Sequence, residues 1–163
     1  MNARSAIRRL GLTAVLTGML VLAGGQVPSD QPPASEPTPA TNTAPRFGWV
    51  DVYLDSGDVP LAAYQFELTA ETGDFQIVGI EGGEHPAFAE PPYYDPAALR
   101  HDRVILAAFS TADELPAGRT RVARVHVMTE GEPPQYVVAL SVTATADGSL
   151  IPATSQIEEG AQP

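Results

Sequence analysis

The segment from Glu81 to Pro96 gathers the residue types best suited to recognition or catalysis. Glu84, Glu90 and Asp95 bring carboxylates, His85 an imidazole, Phe88, Tyr93 and Tyr94 three rings, and Pro86, Pro91, Pro92 and Pro96 stiffen the path between them. A long ordered loop on a rigid scaffold is where binding groups usually sit, and tyrosine offers broad contact area at low entropic cost. Glu84, His85, Phe88, Tyr93, Tyr94 and Asp95 are therefore candidate binding residues. The alternative use is structural, with Phe88 and one tyrosine capping a core. Trp49 and Tyr53 form a second candidate pair. Two alternations apart on one strand, they lie about 13 Å from each other and offer spaced ring platforms to a polysaccharide.

Other chemistries find less support. His85, His101 and His126, with Glu84, Asp95 and Asp102, lack the spacing of a zinc motif. Asp55, Asp58, Asp95, Asp113 and Asp147 fall in turns that can present oxygen to calcium, but no twelve-residue calcium loop surrounds them, and aspartate is an ordinary turn former. Ser110 has no glycine-flanked elbow and no glycine loop cradles a phosphate. Twenty acids guarantee some pair at glycosidase spacing, so their abundance identifies no active site. The expectation is a protein that is not an enzyme, with no cofactor and no metal beyond a possible role for calcium.

Charge and composition set the address. Arg4, Arg8 and Arg9, an apolar run from Leu10 to Ala23 and the small residues Ala23–Gly25 make residues 1–25 a signal peptide. The apolar run is shorter than the ~20 residues of a membrane-spanning helix, so no stable span is expected after cleavage. Six arginines then face twenty acids, with no lysine, a net charge of −14. Such a chain repels nucleic acid and anionic lipid. The absence of cysteine rules out disulfides, thiolate–zinc sites and thiol nucleophiles. An exported protein is expected, whether extracellular, periplasmic or on the cell surface.

Elements that position these residues follow from periodicity. Residues 26–45 are a Pro/Ser/Thr-rich linker without an apolar face. Residues 46–154 make one all-β domain, and residues 155–163 are expected to remain a flexible tail. Val50, Val52 and Leu54 share one strand face against Trp49, Asp51 and Tyr53. Ala62, Tyr64, Phe66 and Leu68 point inward and Gln65 and Glu67 outward. Glu71–Asp74 predicts a turn into a strand over 75–80. The apolar run after Arg103, through Phe109, predicts a central strand covered on both faces. Arg121, Ala123, Val125 and Val127 are expected to oppose Val122, Arg124, His126 and Met128, residues 136–143 to form another strand, and Asp147-Gly148 a hairpin turn into Leu150 and Ile151. Six or seven strands so spaced suggest a two-sheet sandwich.

The stretch VDVYLDSGDVPLAAYQFELTAETGDFQIVGIEGG, from Val50 to Gly83, and VILAAFSTADELPAGRTRVARVHVM, from Val104 to Met128, together resemble a cohesin-type domain over residues 50–145. The resemblance implies a jelly-roll β-sandwich and a non-catalytic extracellular module with a dockerin-like protein partner. A carbohydrate-binding module of the same sandwich superfamily is the main alternative, and a structural cell-envelope protein the third.

Overall fold

The computed structural model describes residues 44–161. The leader over 1–25 and nearly all of the linker over 26–45 lie outside the described residues. Five strands, β1 (Arg46–Asp55), β2 (Ala63–Gly82), β3 (Val104–Phe109), β4 (Arg119–Ala144) and β5 (Thr154–Ala161), carry the fold. They form one antiparallel sheet in the order β3-β2-β4-β1-β5. Two single-turn 3-10 helices, Pro86–Phe88 and Pro96–Ala98, interrupt the β2–β3 connection. The all-β expectation is met.

Alternation builds the core. Val50, Val52 and Leu54 of β1 and Phe66 and Leu68 of β2 are completely buried, and they join Tyr64, Phe75, Ile77, Leu106, Val122, Val125 and Val127 in one hydrophobic cluster. Each large apolar side chain so buried contributes about 1.5–3 kcal/mol. That cluster holds residues from both halves of β2 and the first part of β4, with Tyr136, Val138 and Leu140 of the last part of β4 packed against it, and the β2–β4 pairing is bulged midway, where a strand bends. The first half of β2, over 63–72, pairs with β3 and with the last part of β4, and its second half, over 74–82, pairs with β4 over 123–130. At the bend Gly73 (φ 76°) and Gly131 (φ 77°) take the left-handed backbone, and a Cβ on Gly73 would lie 2.8 Å from the Pro134 Cα.

The bend corrects the strand count. Glu71–Asp74 deflects β2 within a bulged pairing and does not reverse the chain, so five strands stand where six or seven were expected. Val122 is an extra residue in β4 opposite the Val52/Tyr53 step, which flips the alternation there. Val122 consequently points inward, and Arg121 joins Arg124 on the opposite face. After Asp147-Gly148, Leu150 makes an isolated bridge to Ala144 in place of the expected hairpin strand over Leu150 and Ile151, and the next strand is β5.

Two placements differ more. The run from Val104 to Phe109 is an edge strand, not a central one, paired to β2 on one side and joined on the other by an isolated bridge from Tyr93 to Ala107, and its Ile105 and Phe109 are 43% and 71% exposed. The expected flexible tail is β5, in register with β1 from Gly48↔Ala161 to Asp55↔Thr154, so the folded domain extends to residue 161. Main-chain hydrogen bonding to an open edge needs no apolar face, and a hydropathy pattern does not register it.

Candidate functional site

The loop after β2 is ordered by its own polar groups. Gly83 N–H donates to the Phe88 carbonyl at 2.6 Å, and Glu84 N–H to the Arg121 carbonyl at 3.0 Å. Glu84 Oε1 accepts from the Arg121 amide at 2.9 Å. His85 caps the first 3-10 turn, its Nδ1 accepting from Ala87 N–H at 3.2 Å, and Asp95 caps the second, its Oδ1 accepting from Ala97 N–H at 2.9 Å. Phe88 is buried edge-on to Tyr64, with ring centroids 5.2 Å apart. Tyr94 is half-buried against the core. Five of the six loop candidates thus hold the loop itself. Tyr93 is different: its backbone makes a two-hydrogen-bond bridge to Ala107 of β3, and its side chain is 79% exposed.

Trp49 and Tyr53 do share the outward face of β1, with Asp51 between them. Arginines of β4 lie against them. Arg124 donates two 2.7 Å hydrogen bonds to Asp51, and its guanidinium stands 5.1 Å from the Trp49 ring centre. Arg119 stacks 3.5 Å above the Tyr53 ring and reaches Glu158 at 2.6 Å. Burial, then Glu158 and Asp51, pushes the Tyr53 hydroxyl above its ordinary value, with Arg119 opposing. The Trp49 ring lies directly against Gly160, where a Cβ would overlap it. A sugar ring would have to displace Arg119 to stack on that side of Tyr53.

Among the described residues no group of three His, Asp or Glu side chains could hold a metal ion. His126 contacts Glu81 at 2.8 Å, away from the loop histidine. Asp147 is engaged by the Thr145 hydroxyl and the Ser149 amide, which hold its carboxyl below the usual carboxylate range.

One further surface is the face of β3, β2 and β4 turned away from Tyr64 and Phe66. Residues directly paired across antiparallel strands share a face, and three rows follow from the register. Phe109, Ala63, Ala144 and Leu150 make the first row, Tyr93, Ala107, Gln65 and Val142 the second, and Ile105, Glu67 and Ala139 the third. Large side chains stand at the margins, with Phe109 71% and Leu150 77% exposed, and alanines lie between. Gln65 is held to the Ser141 hydroxyl at 3.3 Å, and Glu67 is held by Arg103. Sequence reasoning singled out only Tyr93 here. The available signal was that both alternations of β3 are apolar, Val104/Leu106 and Ile105/Phe109, and only the first is covered.

No protein-family model, curated protein or solved structure matches the chain.

Proposed function

We propose that the protein is an exported, non-catalytic binding module of cohesin-like type, delivered by a cleaved leader, whose bent sheet folds its two halves over one core as a jelly-roll sandwich. The observation that carries this reading is the uncovered face bearing Tyr93, Phe109, Ile105 and Leu150, 43 to 79% exposed. Contiguous exposed apolar surface costs free energy in water and on soluble proteins marks interaction sites. A protein partner fits this better than a polysaccharide, because the Tyr53 ring carries a stacked guanidinium on one side. The partner is a protein with a complementary apolar surface, dockerin-like by the resemblance of residues 50–145.

Affinity capture tests it. The exported protein and its Tyr93→Ser/Phe109→Ser variant serve as baits for the secreted fraction of the source, with and without calcium. One partner should be retained by the parent and lost by the variant. Equal recovery by both baits, or none by either, counts against a module that works through this face.

A further inference from the structure

We infer that the free edge of β4 over residues 135–140 takes an extended segment of a partner protein, bearing lysine or arginine, as an added strand. This site is separate from the face that bears Tyr93 and Phe109. β4 pairs with β1 only from Arg119 to Thr129, so over 135–140 it has β2 on one side and no strand on the other among the described residues. The strand order leaves other open margins, and each is guarded. Tyr93 bridges β3 after Pro91 and Pro92, Arg100 and His101 bond to Ile77 in the second half of β2, and β5 carries Glu158 and Glu159. By contrast, Tyr136 to Leu140 holds no charge and no proline, and its pairing with β2 is regular. Such an edge offers its main-chain groups to another strand, and soluble proteins ordinarily blunt it. Its inner side is also unfinished. Tyr136, Val138 and Leu140 pack against the core yet are only half-buried, so apolar residues at every second position of an added strand would complete their cover.

Charge selects the occupant. With Tyr136, Pro133 and Pro134, Glu159 lines a cleft of about 290 Å³ at the start of this edge. Glu159 lies on the core-facing side of β5 and has no ion-pair partner among the described residues. After burial, its charge is what raises the Tyr136 phenol. Arg46, the cation of the same cleft, is turned to the Gly131 carbonyl at 2.7 Å. A lysine or arginine on the incoming segment can lay its stem along Tyr136 and bring its head to Glu159. The chain's own linker fits badly, because from Gln26 to Pro45 it has no basic residue and no six-residue run free of proline, which cannot donate to a ladder. A second copy would bring another −14 once the leader is removed, and an uncharged edge to set against Glu159.

Fluorescence anisotropy with the purified exported protein tests this. The probe is a short peptide of alternating valine and threonine with lysine at both ends, set against the same peptide ended in glutamate. The lysine peptide should bind at least about fivefold more tightly at low salt, an advantage lost in Glu159→Gln and at ~0.5 M salt. N-methylation of one alternate set of its amides should abolish binding and of the other set spare it, since only every second residue of an added strand bonds to the edge. Phe109→Ser should leave binding unchanged; a loss there would put the peptide on the other face and overturn the site. Equal affinity of the two peptides, indifference to which amides are methylated, or no binding by either peptide also overturns the inference. A dimer of the parent alone that shields the amides of residues 135–140 from hydrogen exchange would assign the edge to a second copy and overturn the partner. Capture by the Tyr93→Ser/Phe109→Ser bait depends on the face alone, so the two readings fail separately.

Discussion

The Tyr64 hydroxyl donates a 2.9 Å hydrogen bond to the carbonyl of Val122, tying the first half of β2 to the bulge residue of β4 across the core. Its ring stacks on Phe66 at 5.8 Å and meets Phe88 edge-on, so one residue links strand, bulge and loop. Tyr64→Phe keeps the packing and leaves the buried Val122 carbonyl unpaired, at a cost of about 1–3 kcal/mol in urea denaturation.

Burial pushes the Tyr64 hydroxyl well above the ordinary tyrosine value of 10.0. A pKa raised on folding gives stabilisation that is complete below the unfolded value and is lost as pH rises through the folded one. The parent should therefore weaken above about pH 10, and Tyr64→Phe should weaken less steeply there. Some alkaline loss will remain, because burial and then Glu159 push Tyr136 up to about 12. Identical alkaline slopes for parent and variant in thermal melts would refute this assignment.

Asp51 is 5% exposed and faces two guanidiniums, Arg124 at 2.7 Å and Arg121 at 3.5 Å. Removing the carboxylate strands both cations, whereas removing Arg124 leaves Asp51 one partner. Asp51→Ala should cost about 2–3 kcal/mol, the low side for a broken buried pair because both arginines still reach water. Arg124→Ala should cost less. The reverse order in equilibrium unfolding would show that the arginine acts mainly by covering Trp49.

Much of this fold is legible along the chain, and particular residues show where legibility ends. Val50, Val52 and Leu54, or Tyr64, Phe66 and Leu68, declare their inward face by period alone. Val122 does not, because a bulge is a relation between two strands and the sequence of one carries no mark of it. The run Val104–Phe109 reads as doubly covered since apolar side chains occupy both faces, and whether anything lies over Ile105 depends on strand order. In the loop, Asp95 and His85 look like ligands yet serve as caps, a role that short polar side chains before a turn routinely take. The uncovered face escapes a reading of the sequence for a related reason. Phe109, Ala63, Ala144 and Leu150 are far apart in sequence and become one row only through register.

Gly160 has a role that its position near the chain end conceals. Trp49 rests on it, and any side chain there would overlap the ring. Gly160→Val should push Trp49 toward solvent and lower stability by about 1–3 kcal/mol. As Trp49 is the sole tryptophan, its emission reports this directly. A red shift in Gly160→Val, absent from the exposed neighbour variant Ala161→Val, is the expected result; unshifted emission would mean the ring already leans away.

β5 protects the edge of β1, and its own edge is guarded by charge. Glu159 pairs with the fully buried Val50 and so lies on the core-facing side of the strand, yet it remains exposed, while Glu158 occupies the other side, bound to Arg119. An inward-pointing charge on an edge strand discourages another strand from adding there. Deleting residues 154–163 bares eight positions of β1 and frees Arg119 from both Gln156 and Glu158. The shortened protein should self-associate in light scattering and melt at lower temperature. Glu159→Val should act differently, retaining the fold and adding apolar contact beside Val50 while raising the tendency to associate through β5. If the deletion stays monomeric with an unchanged melt, β5 contributes no protection, and its pairing with β1 is incidental to the domain.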